Sequence, residues 1–159
     1  QILVAEDVRG FMTTKPQQGA RVSVEPTVAL KAHGEISGAV SVGRHHRKAD
    51  TMVLNRVCFA RHVQIIGGAE RLVARLPRPL ITWSDNRWSD GKMYARLGCV
   101  LDEELGPDYS YVKGLNRRSK QSMKKSNTGC PPEITEKDWC AKMGWYRIWD
   151  CGKKRWRLG

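Results

Sequence analysis

A chain of 159 residues, 40% hydrophobic and 28% charged, is long enough for one domain with an appendage. At that length it can bury roughly 70% of its unfolded surface, so it needs no disulfide or metal staple; no run approaches the roughly 18 apolar residues of a membrane span, and no signal-peptide pattern opens the chain. The formal charge of +12 is uneven: 13 basic residues stand against 4 acidic ones from Tyr111 onward, whereas residues 1–110 hold 15 and 12, and such an excess favours a polyanionic partner over a merely solubilising surface.

The opening Gln1-Ile2-Leu3-Val4 suggests a fragment or a processed chain. Five cysteines, Cys58, Cys99, Cys130, Cys140 and Cys151, form no C-x-x-C pair. Reduced thiols in a cytoplasm are therefore expected, with Cys58 and Cys99 as small core residues. No metal is expected, because Cys130, Cys140 and Cys151 lack ligand spacing.

In chain order, Ala5–Thr14 reads as a short helix with Val8, Phe11 and Met12 on one side, ended by Pro16. Gln17 and Gln18 follow in a polar loop. Thr27–Ala32 and Ile36–Gly43 form a hairpin around His33-Gly34-Glu35, and Gly38 within a strand marks a bulge or a close backbone approach. Arg44 to Lys48 is a basic loop in which Arg44 and His45 suit phosphate. The neighbouring His45 and His46 make no ready metal pair, since adjacent side chains point oppositely along a strand. Met52–Ala60 is the central strand, antiparallel to Ile36–Gly43. Asn55 and Arg56 interrupt its apolar run and either orient a substrate or face solvent.

Gly67–Leu76 has Ala69, Leu72, Val73 and Leu76 at the spacing of one helical face. Between strand and helix lies Gln64-Ile65-Ile66-Gly67-Gly68-Ala69, a glycine turn whose free N–H groups and helix dipole attract an anion. Leu80–Ser84 is the next strand. The loop from Ser84 to Ser89 lies at its carboxyl end, where α/β folds place ligands. Ser89 can cap the helix Asp90–Gly98, with Asp90 in its first turn; this leaves Ser84, Asp85, Arg87 and Trp88 unexplained. Strands Cys99–Glu104 and Tyr109–Lys113 follow. Gly114–Asn127 is a basic arm without periodicity that would order on nucleic acid. Thr135 caps a helix with Asp138 at the third position, Trp139, Cys140 and Met143 form its apolar face, and Gly144 ends it. Trp145–Asp150 and Lys154–Leu158 make a last hairpin, in which aromatics alternating with bases suit stacking plus phosphate contact, or a core with exposed cations. The candidate nucleic-acid contacts are Arg44, His45, Arg87, Trp88, Arg117, Arg118, Lys120, Lys124, Lys125, Lys153, Lys154 and Arg155.

Gln64-x-x-Gly67-x-Ala69 resembles the pyrophosphate loop of the GNAT superfamily of acyl-CoA-dependent N-acyltransferases. Tyr94-Ala95-Arg96-Leu97-Gly98 is similar to the superfamily's Tyr-x-x-x-Gly. The two motifs cover Met52 to about Glu104. The resemblance implies an α/β (α+β) fold, with a mixed, mostly antiparallel central sheet flanked by helices. The GNAT-like core would span 1–113, and 114–159 would be a basic extension of helix and β-hairpin packed on it. It further implies acetyl-CoA or another acyl-CoA as donor. Gln64, Ile65, Ile66, Gly67, Gly68 and Ala69 would hold the pyrophosphate and Asn86 would touch the cofactor. Tyr94 would be the general acid, Asp85 the base or substrate orienter, and Ser84 an assisting hydrogen-bond group.

Trp83–Tyr94 and Trp145–Gly152 resemble the C-terminal GNAT-like region of phage homing-endonuclease-like proteins and, more distantly, the Mom-type proteins that modify adenine in DNA. This implies a phage origin, the cytoplasm of an infected host, and double-stranded DNA as partner, without a membrane. The chain departs from the superfamily at Arg87, where an Asn is common, at Cys99, where a Phe is usual, and at Ile65-Ile66, which lacks a second basic residue. Two functions follow: an acyltransferase that modifies DNA bases, and a non-catalytic GNAT-like DNA-binding module. Without an H-N-H signature or clustered metal-binding carboxylates, cleavage by this chain alone is excluded.

Overall fold

Two positive dihedrals open the ordered sheet: His33 at φ 51° and Gly34 at φ 84° turn β2 (Thr27–Ala32) back onto β3 (Glu35–His45). That is the signature of a hairpin turn whose twist matches its strands. The computed structural model describes residues 2–4, 11, 27–45, 48–61 and 63–159. The helix expected over Ala5–Thr14, the loop residues Gln17 and Gln18, and His46 lie outside them, apart from Phe11, which is buried with Ala29 and Ala39.

The described residues form two compact units. The first comprises Gln1–Ser84, Gly91–Glu103 and Lys154–Gly159; the second comprises Asp85–Asp90 and Glu104–Lys153. The expected boundary after residue 113 is therefore not where the chain divides. The physical reason lies in strand order. The main sheet runs β1-β2-β3-β4-β5-β10-β6, with β1 Ile2–Val4, β4 Lys48–Phe59, β5 Leu80–Asp85, β6 Val100–Leu105 and β10 Lys153–Leu158. The last strand returns to lie between β5 and β6, and residues between β6 and β10 build the second unit. The registered pairs β1/β2, β2/β3 and β3/β4 are antiparallel, and β4/β5 is parallel. The fold is thus mixed α+β with a mostly antiparallel central sheet.

β3 is buried on both faces from Ser37 to Gly43. Val40 and Val42 join Val28, Leu30, Leu54, Leu72, Val73, Leu76 and Leu80 in the main core, while Ala39 faces Phe11 on the other side. The helix α1 (Gly68–Val73) supplies Leu72 and Val73, as its apolar spacing predicts. Gly38 meets both sequence expectations. The β2/β3 register shifts between Leu30 and Lys31 beside it, and a Cβ on Gly38 would stand 2.7 Å from the Phe59 ring. The same ring excludes a Cβ at Gly68, at 2.9 Å. β3 runs on through His45, so Arg44 and His45 are strand residues rather than part of a loop.

In the second unit β7 (Tyr109–Lys113) lies between β8 (Asn116–Ser119) and β9 (Tyr146–Trp149), both antiparallel to it. A 3-10 turn at Lys120–Met123 and the helices α3 (Lys125–Thr128) and α4 (Glu136–Lys142) follow the chain between β8 and β9. Tyr111, Met123 and Cys140 are its buried core. Burial raises the Cys140 thiol above its ordinary pKa. Two expectations are corrected here. The supposed basic arm Gly114–Asn127 is ordered as β8, the 3-10 turn and α3, because Met123 anchors it in the core and Ser119 caps the turn. The last hairpin does not form: β9 pairs with β7, and β10 joins the main sheet. Thr135 does cap α4, its hydroxyl accepting from the Asp138 N–H at 3.1 Å and donating to the Asp138 carboxylate at 2.6 Å.

Candidate functional site

Parallel pairing between β4 and β5 consists of two register pairs, Met52 with Leu80 and Val53 with Ile81. The buried Thr82 hydroxyl then donates to the Leu54 carbonyl at 3.1 Å. Beyond this tie lies a cleft of about 180 Å³, lined by Leu54, Asn55, Arg56, Val57, Thr82, Met93 and Tyr94. Asn55 and Arg56, which the sequence left open between substrate and solvent, both line it. Met93 and Tyr94 come from α2 (Lys92–Arg96), whose first residue follows Gly91 at φ 86°.

Tyr94 is half-buried. Its phenol donates to the Trp83 carbonyl at 3.3 Å, and its ring stacks on Trp156 with centroids 6.0 Å apart. Both contacts fix the hydroxyl at the cleft wall. Gly91, not Ser89, is the N-cap of α2; the Asp85 carbonyl takes the N–H groups of Trp88 and Ser89 in a tight turn, so the helix begins later than the sequence suggested and Asp90 precedes its first turn.

The glycine turn before α1 is present. Gly67 adopts φ 67°, and no heavy atom lies within 4 Å of where its Cβ would stand. Ile66 is 89% exposed at the turn, Gln64 is exposed, and Ile65 and Ala69 are half-buried. The Gly68 N–H is taken by the Ile65 carbonyl at 3.1 Å, which leaves fewer donors there than the sequence suggested.

Ser84 is 2% exposed, and its hydroxyl accepts from the Trp156 indole at 2.9 Å. Asp85 accepts from the Arg87 N–H at 2.9 Å in a turn that follows from its short carboxylate. Asn86 donates to the Cys151 carbonyl at 3.2 Å, while its N–H donates to the Gly152 carbonyl at 3.1 Å. In the second unit Arg87 lies over the Trp88 ring, 4.8 Å from its centroid, and Trp88 is 76% exposed.

Several expected phosphate contacts are engaged within the fold. Arg155 pairs with Asp102 at 2.6 Å and with Glu103 at 2.9 Å, and Arg157 reaches Asp102 at 3.3 Å. Lys120 pairs with Asp108 at 2.7 Å, and Lys153 pairs with Asp150 at the same distance. Hydrogen bonding from Lys120 holds the Asp108 carboxyl below its ordinary pKa, and the Asp108 N–H with Lys153 holds that of Asp150 down at about 2. The Lys125 ammonium donates to the Pro132 carbonyl at 3.0 Å. Arg117 donates to Ser110 at 3.2 Å, and Arg118 lies over Trp145 at 5.0 Å. Arg44 is exposed, His45 stacks on Trp83 at 6.4 Å, and Lys154 sits in β10. Lys124 is exposed at the start of α3. Among the described residues no three of His, Cys, Asp and Glu converge as a metal site, and no helix is long and apolar enough to cross a membrane.

Sequence reasoning did not single out Thr82 or Met93. The available signal for Thr82 was one hydroxyl inside the apolar run Leu80-Ile81-Thr82-Trp83.

No family model matches the chain, and no curated protein matches it. Two solved acetyltransferase structures are similar to it. One is the diaminobutyrate acetyltransferase EctA from Paenibacillus lautus in complex with L-2,4-diaminobutyric acid and coenzyme A, at 13% identity over 84% of this chain and 69% of that one, with a TM-score of 0.42. The other is an acetyltransferase of the GNAT family from Streptococcus pneumoniae, at 10% identity over 99% of this chain and 97% of that one, with a TM-score of 0.49.

Proposed function

We propose that the chain is an acyl-CoA-dependent N-acyltransferase of the GNAT type, with its reaction cleft at the opening between β4 and β5. The carrying observation is the short parallel pairing of these strands, two register pairs long, followed by a polar cleft with Tyr94 on its wall. Strands joined only at their start leave main-chain edges beyond it that can pair with an extended, amide-bearing chain. The pantetheine arm of CoA is such a chain.

The residues present fit that group. Asn55, Arg56, Thr82 and Tyr94 give the cleft a polar lining, and the space over Gly67 is open to a phosphate. The glycine turn from Gln64 to Ala69 would hold the pyrophosphate, although α1, at six residues, is too short for its dipole to carry the reading. When bound, acyl-CoA supplies an acyl group activated as a thioester. Tyr94 holds a phenolic proton at the cleft wall, hydrogen-bonded to the Trp83 carbonyl, and would be the group to protonate a thiolate leaving from a bound donor. Arg56 brings positive charge and Asn55 an amide for orienting an acceptor.

The acceptor class we place first is an amine of a nucleic-acid base, in the manner of Mom-type modification. Its support is the segment from Lys113 to Lys125, which carries six basic residues and no acidic one. Arg117, Arg118, Lys124 and Lys125 on it are exposed. The same observation favours a second reading, a GNAT-like nucleic-acid-binding module without catalysis. Incubation with acetyl-CoA and DNA separates the two. Release of CoA thiol together with an acetyl mass increment on a nucleoside supports the enzyme; DNA binding without either supports the module.

A further inference from the structure

The second unit holds a pocket unrelated to the acyl-transfer cleft. It has a volume of about 370 Å³ and lies between α4, which contributes Lys137 and Ala141, and the segment Trp145, Tyr146, Arg147 and Trp149, with Tyr111 at its floor. That volume falls within the range of small-molecule sites, roughly 300–1,000 Å³. Three of its walls are aromatic. Trp149 and Tyr146 are each 63% exposed, which is unusual for rings of this size unless something covers them.

The floor is rigid. Tyr111 is fully buried; its hydroxyl accepts from Arg147 Nε at 2.9 Å and donates to Glu136 at 2.9 Å. Tyr109 also donates to Glu136, at 3.3 Å. Burial raises the Tyr111 phenol well above its ordinary pKa, so it stays protonated and keeps this network intact. The strand register places Arg118, Tyr111 and Arg147 in one row across β8, β7 and β9. Arg118 covers the Trp145 ring from that row. Lys137 is exposed at the pocket and has no ion-pair partner among the described residues.

Aromatic walls alone would also suit a methylated ammonium, but the charged residues lining this pocket are both cations; Arg147 is paired with Glu136 at 3.5 Å, which leaves the exposed Lys137 as the charge that repels a cation and attracts an anion. Flat rings beside cations suit instead a π-system attached to an anion. We infer that this pocket takes one base of a single-stranded nucleic acid, stacked on Trp149, with its phosphates on Lys137 and the Lys113–Lys125 segment. The inference rests on nucleic acid as the partner, not on acyl transfer.

Fluorescence anisotropy of the full chain with a short labelled oligothymidylate tests it, with a duplex of the same length as comparison. Trp149→Ala should weaken single-strand binding by about tenfold or more, the loss of one stacked base. Lys137→Glu should weaken it about tenfold and reduce the slope of log affinity against log salt by about one contact. Val100→Ser, at a residue of β6 that is 70% exposed and lies outside both the pocket and the Lys113–Lys125 segment, should bind as the wild type does. Circular dichroism and acetyl-CoA titration of each variant report folding and the other site separately. No oligothymidylate binding by the wild type, unchanged binding by folded Trp149→Ala and Lys137→Glu, or equal preference for the duplex would each overturn the inference.

Discussion

The indole Nε1 of Trp156 donates to the buried hydroxyl of Ser84 across 2.9 Å, joining strands that are 72 residues apart in sequence. Trp156 also stacks on Tyr94, so one side chain of β10 fixes both β5 and the phenol at the cleft. Ser84→Ala leaves the indole N–H without its acceptor in a buried site, and should cost about 1–3 kcal/mol. Denaturant unfolding measures this directly. If Ser84 acts by holding Trp156 rather than by chemistry, catalytic turnover at a permissive temperature should stay within about threefold of the wild type, well short of the loss typical of a proton-transfer group.

Gly91 is confined by the same indole. It sits at φ 86°, and a Cβ there would overlap the Trp156 ring. Gly91→Ala adds a left-handed backbone penalty and a packing clash, together about 2–5 kcal/mol. A lowered melting temperature, with loss of the Tyr94–Trp156 near-ultraviolet dichroism, is the expected readout.

Asp150 accepts N–H groups from Asp108 and Gly152 at 2.8 and 3.0 Å and the Lys153 ammonium at 2.7 Å, while its own N–H donates to the Asp108 carbonyl at 2.8 Å. These bonds clasp the two ends of the second unit's main segment. Because the folded pKa is depressed to about 2, the carboxylate stabilises the fold above its ordinary value of 3.8. That contribution falls away as the pH drops through the window between the two values. Asp150→Ala should destabilise by about 1–3 kcal/mol at neutral pH. The gap between wild type and variant should narrow progressively below pH 3.8 in acid titrations of unfolding.

Tyr94→Phe keeps the ring on Trp156 and removes only the bond to the Trp83 carbonyl. Its stability cost should be about 1 kcal/mol or less. If the phenol supplies the proton to the leaving sulfur, kcat should fall by about 100-fold or more, while acetyl-CoA affinity stays within about threefold. Equal losses in affinity and kcat would assign Tyr94 to binding instead.

Local chemistry was legible where it was self-contained. His33-Gly34, the glycine turn before α1 and the Thr135–Asp138 cap each depend on residues close in sequence. What escaped the sequence was long-range pairing. Nothing near Lys153–Leu158 says that it inserts between β5 and β6, and cutting the chain at Gly114 would remove this strand from the main sheet. The charge count likewise could not say which basic residues are paired within the fold. Asp102, Glu103 and Asp108 precede the basic C-terminal third in sequence, yet they bind Arg155, Arg157 and Lys120 in the fold. Ser89 was misplaced as a cap because the Asp85 turn consumes two residues before Gly91. Thr82 and Met93 meet at the cleft only through the placement of α2 beside β5.

The most direct test of the acyl-transfer cleft is calorimetric titration of acetyl-CoA into the wild type and into Asn55→Trp. Asn55 is exposed on the cleft wall, so a bulky ring there fills the opening without entering the core. The expected result is saturable binding of one ligand per chain by the wild type, weakened about tenfold or more in a variant that melts normally. No binding by the wild type, or undiminished binding by Asn55→Trp, would contradict the placement of the cofactor between β4 and β5.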